Sequence, residues 1–298
     1  MEESRRKTEI EVGSMSFKAL KEAARLVKPG VSLLDIAKAT EKYIKENGYE
    51  SAFPINLSSN DRAAHYSPSF DDQTLVGEKD IIKVDFGVAK DGILGDCAVT
   101  VDVGSSNGRL VEASEAALQN AMSVVKAGAS VSKIGAEIAN TISKYGFKPI
   151  RNLGGHGVEV HDLHADIFIP NYDNGDESEL EEDMTIAIEP FATDGKGMVT
   201  DSDDCEIYSF IGEAQVRSQA ARALMEKIVS AYPSEPFAVR WLAEPDSTRF
   251  SLYTAIQELA RNGVLEPHPT LVELGHGNVS QAEAKLLVTK EGCEVLTK

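Results

Sequence analysis

The sequence is poor in features that would assign it to several familiar classes of protein. Its 298 residues include only three cysteines, Cys97, Cys205 and Cys293, which lie far apart and form no CxxC pair. This usage argues against a disulfide framework and a thiolate zinc site, and it predicts a reduced, cytoplasmic compartment. No run approaches about eighteen consecutive apolar residues, which argues against a membrane-spanning helix. The N-terminal segment MEESRRKTEIEVG lacks the apolar stretch of a secretory signal.

Positive charge is also scarce. The chain has 30 Lys and Arg residues against 48 Asp and Glu, a formal net charge of -18. Because such a field repels polyanions, the composition argues against a protein held by its charge to nucleic acid or to an anionic membrane. Hydrophobic residues make up 42% of the chain, as in a folded globular protein. No linker divides the sequence and no apolar stripe calls for a partner, so we expect one domain over 1–298 and a monomer.

One helical pattern occurs twice along the chain. Residues 23–49 align with residues 121–147 at an offset of 98, without gaps and with eight identical positions. Each copy has the pattern of a helix, a glycine stop, a serine N-cap (Ser32 or Ser130) and a second amphipathic helix ended by glycine. Helix hairpins share composition, so coincidence is one explanation of the similarity. The alternative, a duplicated unit, predicts a pseudo-symmetric fold.

The remaining patterns are those of strands and of one insertion. Alternating apolar residues predict a hairpin over 81–104, with its turn in the segment 90–92. Apolar strands are also predicted at 184–192 and at 284–297. The segment from about 196 to 262 has helical patterns and is predicted to be a helical insertion between these last strands.

Two aspartates stand on the predicted hairpin, Asp85 and Asp96. A loop at 90–91 places them directly opposite each other, whereas a loop at 91–92 makes them diagonal neighbours on one face. Facing carboxylates repel each other unless a cation or a proton lies between them. An exposed polar face explains the pair about as well, although glycines beside both aspartates favour a site.

Three further residues have settings that favour chemistry. His156 is surrounded by glycines, which lets another group approach its imidazole closely. Glu189 and Glu283 lie in strands that are otherwise apolar, where a carboxylate is costly unless it is paired or bound to a metal. Taken alone, Glu283 fits a solvent-facing strand start better than a site. The pair His161 and His164, at a spacing of three, is weak evidence for a ligand set.

Together these residues make an oxygen-rich set with a single imidazole. Four carboxylates carry four negative charges, and two divalent cations would neutralise them. Such ligands suit Mn, Fe or Co better than a closed structural zinc site. Two-metal sites of this kind activate water and are found in aminopeptidases.

At this point a family resemblance is evident. The segments FPINLSSNDRAAHY, KVDFGVAKDGILGDCAVTV, NLGGHGVEVHDLHADIFIPN, TIAIEPFAT and QAEAKLLV, in this order, closely resemble those of the type 2 methionine aminopeptidases over nearly the whole chain. The resemblance implies the α+β pita-bread fold, with two pseudo-symmetric αβ halves. It also implies that the helical insertion is the one that marks type 2, since Glu189 and Glu283 are 94 positions apart (283 minus 189).

The resemblance further implies a dinuclear site holding two divalent metal ions, with Co, Mn, Fe and Zn as the candidates. Its ligands would be Asp85, Asp96, His156, Glu189 and Glu283. Asp96 and Glu283 would bridge the metals, Asp85 would complete one of them, and His156 with Glu189 would complete the other. A bridging water or hydroxide would attack the carbonyl of the N-terminal methionine, with Glu189 as the proton shuttle.

Other residues take their implied roles from the same resemblance. His65 matches an active-site histidine, and His164 matches the histidine that contacts the scissile peptide. Phe53 and Leu163 match residues that line the methionine side-chain pocket. His268 replaces a tyrosine often found in that pocket, which implies a different pocket shape and polarity.

The sequence departs from the family around its last ligand. The family usually reads Gln-Phe-Glu-His-Thr there, whereas this chain has alanines at 282 and 284 and a lysine at 285, which puts the support of Glu283 in question. Asp166 also stands where the family usually has glycine. None of these changes removes a chemical group that the implied mechanism needs.

The implied activity is removal of the initiator methionine from nascent proteins whose second residue is small. Nascent N-termini would be the partners, reached by transient proximity to the ribosome. Two other functions stay open. An Xaa-Pro peptidase shares the fold and ligand types, but such relatives usually carry a separate N-terminal domain, and the matching segments here begin almost at residue 1. A metal-free binding scaffold is the second, although such proteins typically have broken ligand sets.

Overall fold

A computed structural model describes residues 1–244 and 248–298 of the chain. The helices are α1 Glu3–Leu26, α2 Leu33–Glu46, α3 Gly108–Val124, α4 Val131–Lys144, α5 Gln219–Ala231, α6 Val239–Leu242 and α7 Arg249–Arg261. The strands are β1 Glu50–Ser51, β2 Asn56–Ser59, β3 Arg62–Ala64, β4 Ile81–Phe86, β5 Val88–Lys90, β6 Ile93–Leu94, β7 Cys97–Asp102, β8 Lys148–Pro149, β9 Gly154–Glu159, β10 Asp162–Pro170, β11 Thr185–Ile188, β12 Phe191–Thr193, β13 Val199–Asp201, β14 Ile207–Phe210, β15 Phe237–Ala238, β16 Leu265–His268, β17 Leu271–Glu273, β18 Val279–Gln281, β19 Glu283–Val288 and β20 Cys293–Val295.

An antiparallel sheet forms the centre of the molecule. Its strand order is β10-β9-β11-β19-β7-β4-β2, and β20 pairs with β19. One hydrophobic cluster joins α1 and α2 to β4, β5 and β6, and a second joins α3 and α4 to β11 and β19. Because side chains alternate along a strand, Val84 and Phe86 pack into the first cluster while Asp85 projects from the opposite face. The mixed α/β architecture with its two helical halves confirms the predicted pita-bread fold.

The helix bounds preserve the offset of 98 that the repeated pattern suggested. Helix α2 runs from 33 to 46 and α4 from 131 to 144, while α1 ends at 26 and α3 at 124. The two serine N-caps differ in detail. Ser32 Oγ accepts a hydrogen bond from Asp35 N at 3.3 Å, whereas Ser130 makes no side-chain capping bond and lies 3.4 Å from Ser132 Oγ.

The predicted hairpin over 81–104 is divided between two sheets. Its base, β4 with β7, lies in the central sheet, and its tip, β5 with β6, pairs with β1 in a small sheet. Lys90 pairs with Ile93, so the loop is at 91–92, and Asp85 is opposite Ala98. The two aspartates are therefore diagonal neighbours, as this second loop predicted. Where the hairpin passes from one sheet to the other, a Cβ on Gly87 would lie 1.6 Å from the Gly95 carbonyl oxygen. Only glycine at position 87 therefore allows the two backbones to come this close.

The segment predicted as an insertion combines helices with a small sheet. Strand β14 pairs with β15 on one side and β16 on the other, and α5 and α7 pack beside them in a third hydrophobic cluster. Residues 245–247 of the predicted insertion lie outside the described part of the chain. Among the described residues, the helices are all too short or too polar to cross a membrane. The three cysteines are free thiols, with Cys97 buried.

Candidate metal centre and substrate pocket

Five neighbouring strands of the central sheet each supply one of the predicted metal ligands. In the order β9-β11-β19-β7-β4, these residues are His156 on β9, Glu189 directly after β11, Glu283 at the start of β19, Asp96 directly before β7 and Asp85 on β4. Strand pairing places Asp85 opposite Ala98, and Ala98 opposite Glu283, so these side chains share one face. Residues that lie between positions 85 and 283 of the sequence thereby come together on one patch of the sheet.

Three of the five residues form the tightest group. Ligand atoms of Asp96, His156 and Glu283 all lie within 4.8 Å of one another. His156 Nε2 is 3.5 Å from Asp96 Oδ2 and 4.0 Å from Glu189 Oε1. Asp85 completes the set at the other end of the patch.

Gln281 links the two outer carboxylates and was not identified from the sequence. Its Nε2 donates to Asp85 Oδ2 at 3.1 Å and to Glu189 Oε2 at 3.3 Å. The signal that could have found it is its position two residues before Glu283, which in an extended segment projects to the same side. Gln281 thus orients both carboxylates through hydrogen bonds, as residues that hydrogen-bond to metal ligands generally do.

Burial controls the protonation of this cluster. It raises the pKa of Asp96, Glu189 and Glu283 well above the usual range, with neighbouring carboxylates adding to the effect, and it raises the pKa of Asp85 to about 7. Burial also lowers the pKa of His156 to about 3, so its imidazole is neutral. Without cations the cluster therefore holds protons at neutral pH, which relieves the repulsion between its carboxylates; bound cations would balance the charge and let the carboxyl groups ionise.

A further observation fits divalent cations at this position. Glu283 Oε2 is buried and accepts no hydrogen bond from any of the described residues. An unsatisfied buried carboxylate oxygen is costly. A neutral imidazole beside several carboxylates is a donor set for borderline divalent cations such as Mn, Fe, Co or Zn. The residues present therefore fit a metal centre.

The patch forms one end of a pocket with a cavity volume of about 90 Å³. Every site residue named from the sequence lines it: Phe53, His65, Asp85, Asp96, His156, Leu163, His164, Glu189, His268 and Glu283. Sequence reasoning missed other wall residues, among them Phe191, Ile207 and Pro236. These are ordinary apolar positions, and their neighbourhood is set only by the packing of the insertion against the sheet.

Comparison with known proteins assigns the family. The model of metallopeptidase family M24 matches residues 10–229. The chain belongs to family M24. It is therefore a peptidase of a family that uses divalent metal, and the buried carboxylates with His156 are its candidate metal centre. Glu283 lies beyond the matched residues.

The curated relatives match over their full length. The chain is 44% identical to the methionine aminopeptidase of Archaeoglobus fulgidus, covering 100% of both chains. It is also 44% identical to the methionine aminopeptidase of Pyrococcus horikoshii, covering 97% of this chain and 98% of the relative.

Solved structures share the fold at low identity. A thermophilic Arx1 superposes with a TM-score of 0.83 at 17% identity, covering 96% of this chain and 90% of that one. The methionine aminopeptidase of Thermotoga maritima gives a TM-score of 0.70 at 24% identity, covering 98% and 97%. The Xaa-Pro dipeptidase of Bacillus anthracis gives 0.63 at 16% identity, covering all of this chain but 61% of that one.

Two pairs of histidines lie around the M24 site. The His156 and His164 rings are 4.3 Å apart between centroids, and the His65 and His268 rings meet edge to face at 6.1 Å. His268 Nε2 is 2.8 Å from Ser209 Oγ, which fixes the ring against the wall of the pocket. Burial lowers the pKa of His65 to about 4, so this imidazole is neutral as well.

The substituted surroundings of Glu283 are compatible with an intact site. Ala282 and Ala284 are buried in the cluster with α3 and α4. Lys285 is fully buried, and its Nζ donates to Glu9 Oε2 on α1 at 2.6 Å and to the Leu94 carbonyl at 2.6 Å. The additional charge is therefore neutralised by a partner 276 positions away in sequence, and the Glu283 carboxylate lies with the other candidate ligands.

The glycines beside His156 allow neighbouring strands to approach. A Cβ on Gly155 would lie 2.1 Å from the Ala187 carbonyl oxygen on β11, and one on Gly154 would lie 2.3 Å from the Ile169 carbonyl oxygen on β10. The sequence pattern predicts that these glycines leave room for a group near the imidazole. Their contacts show in addition how β9 can pack between β10 and β11 and hold His156 at the patch.

Proposed function

We propose that this M24 peptidase is a type 2 methionine aminopeptidase that removes the initiator methionine from nascent polypeptides with a small second residue. The observation that carries the proposal is the convergence of Asp85, Asp96, His156, Glu189 and Glu283 at the end of one pocket with apolar walls. The full-length relatives named methionine aminopeptidase support the same reaction.

The pocket offers distinct places for the parts of such a substrate. Phe53, Leu163, Phe191 and Ile207 provide apolar wall for a thioether side chain, and His268 adds a polar edge held by its contact with Ser209. The carboxylates at the end of the pocket suit the substrate's ammonium group and the metal ions. A cavity of about 90 Å³ limits the size of the side chain that the pocket can hold.

The metal ligands are proposed to be Asp85, Asp96, His156, Glu189 and Glu283. Two divalent cations bound there would polarise the scissile carbonyl and lower the pKa of a water molecule. Asp96 and Glu283 would hold the ions from the centre of the patch.

The chain's own side chains supply the remaining steps. Glu189 would accept the proton of the attacking water and deliver it to the leaving amine. Gln281, which donates to Glu189, holds that carboxylate in place. His164 and His65, on the walls above the metal ligands, would bind the scissile peptide, and His164 would stabilise the charge that develops on its carbonyl oxygen.

The same proposal includes two metal ions per chain and a type 2 insertion over about 196–262. It also includes a cytoplasmic compartment and a monomeric state. Nascent N-termini are the proposed partners, with transient access near the ribosome. The net charge of -18 opposes tight binding to ribosomal RNA.

The test is release of free methionine from a Met-Ala-Ser peptide. The protein is chelated, refilled with Mn or Co, assayed for bound metal and compared with Glu189→Gln, which keeps the shape of the side chain. We expect metal-dependent release that is lost in the variant. An Xaa-Pro dipeptide run in parallel tests the prolidase activity.

Each other outcome has a meaning. Cleavage of the Xaa-Pro dipeptide alone would replace the proposal with a prolidase. Confirmed uptake of metal with no cleavage of either substrate would contradict the proposal and indicate a binding scaffold.

A further inference from the structure

A buried guanidinium joins the insertion to the segment that carries His65. Arg240 lies on α6, just after β15, and its side chain is only 3% exposed. Its Nη1 donates to Ser67 Oγ at 2.6 Å and to the Pro68 carbonyl at 3.1 Å. Ser67 lies two positions after His65, while Pro236, four positions before Arg240, lines the pocket. One side chain therefore connects two walls of the pocket.

The contacts continue to a third wall and to α2. Ser67 Oγ donates in turn to the Ile55 carbonyl at 2.7 Å, within the segment 53–56 that also lines the pocket. The Arg240 Nη2 donates to Glu41 on α2, and the same Glu41 oxygen accepts a hydrogen bond from Trp241 Nε1 at 2.9 Å. Glu41 thus supplies the charge that a buried guanidinium requires.

The backbone of His65 needs such support. Its φ is +64°, in the left-handed region that non-glycine residues rarely occupy. Residues in this region persist where the surrounding structure holds them. The bonds from Arg240 to Ser67 and Pro68 hold the chain immediately after His65.

We propose that Arg240 is a positioning residue for the aminopeptidase reaction, which fixes His65 and Phe53 at the pocket wall by tying their segments to the insertion. This inference rests on the proposed function for its kinetic consequence. Its structural consequence, the position of His65, is measurable without turnover.

The test compares Arg240→Met, Arg240→Lys and Ser67→Ala with Arg222→Met. The control removes an exposed arginine of the same insertion, whose Nη1 donates to the Val216 and Arg217 carbonyls and not to the segment after His65. For each folded variant, kcat and KM are measured on the Met-Ala-Ser peptide. The His65 imidazole is titrated by NMR in the metal-free protein, with His65→Gln used to assign its resonance.

Loosening the segment should admit water to His65. Burial, with His268 and His164 adding to it, lowers the pKa of this imidazole to about 4, and we expect Arg240→Met and Ser67→Ala to move it toward 6.5. We expect kcat/KM to fall on the order of tenfold or more, because small displacements of a positioned group are costly. Arg240→Lys should give partial rescue, since it keeps a charge near Glu41 but offers one nitrogen to the acceptors. Arg222→Met should change neither readout.

Two results would overturn the inference. One is an unchanged His65 titration and unchanged kcat/KM in folded Arg240→Met and Ser67→Ala. The other is an equal loss in Arg222→Met, which would indicate general destabilisation. If Arg240→Met does not fold, Arg240→Lys and Ser67→Ala provide the same test. An inactive parent protein whose His65 titration still responds to Arg240 would contradict the proposed function and leave the positioning role standing.

Discussion

The buried pair Lys285 and Glu9 connects the strand that carries Glu283 to α1, and its removal should have a large effect on stability. Both side chains are 2% exposed. Replacement Lys285→Met keeps most of the length of the side chain and removes its charge. It leaves the Glu9 carboxylate in the interior without its principal partner, and it leaves the Leu94 carbonyl without the Nζ donor.

The expected loss is about 3 kcal/mol in the free energy of unfolding, the low end of the range for breaking a buried ion pair. The low end applies because Arg5 Nε, 3.6 Å from Glu9 Oε1, still offsets part of the charge. The double variant Glu9→Leu with Lys285→Met leaves no isolated charge. We expect it to recover most of the loss, since apolar replacements of buried ion pairs are often neutral or stabilising.

Urea unfolding of the metal-free protein measures these differences, with the midpoint and slope fitted for each variant. The matched control is Arg6→Met, on the same helix, which breaks an exposed pair with Glu294 and should be indistinguishable from the parent. The reasoning is refuted if Lys285→Met is no more destabilising than Arg6→Met. It is also refuted if the double variant is as unstable as Lys285→Met alone.

Three further predictions concern the metal, pH and the sheet. Metal present at about a hundredfold its Kd should stabilise the folded chain by about 2.7 kcal/mol. Chelating that metal should therefore lower the melting temperature by about 4 °C. An unchanged melting curve would argue against a preformed site. Burial raises the pKa of Glu206 from 4.5 to about 7, so the folded chain retains this proton while the unfolded chain loses it as the pH rises. Glu206 should therefore contribute a decline in stability of about 3 kcal/mol between those pH values. In urea titrations at about pH 4.5 and 8, Glu206→Gln should lose less stability than the parent by that amount; equal slopes with pH in both proteins would contradict this. Finally, Gly155→Ala places a Cβ 2.1 Å from the Ala187 carbonyl oxygen, which should displace His156. We therefore expect weaker metal binding in calorimetry. The control Gly108→Ala has open space around its Cβ and should bind metal as the parent does.

Much of the fold was predictable because its signals are local. The helix pairs follow from apolar residues at helical spacing and from glycines at the helix ends, and the offset of 98 survives in the bounds of α2 and α4. The chemical types of the candidate ligands were equally visible, because a carboxylate such as Glu189 in an apolar strand is costly without a partner. The division of the hairpin at Gly87 was not predicted, because it depends on the close contact between the Gly87 and Gly95 backbones.

The residue types in the sequence by themselves determined which groups the site can contain, and the strand patterns determined the side of each strand on which they stand. Tertiary structure alone decided what those groups contact. Gln281 links Asp85 to Glu189, and Lys285 binds Glu9 at the far end of the chain. Such contacts arise when strands distant in sequence pair and when the insertion packs against the sheet. The physical reason is that burial and partner distance are properties of the packed molecule, and they set the protonation of each group.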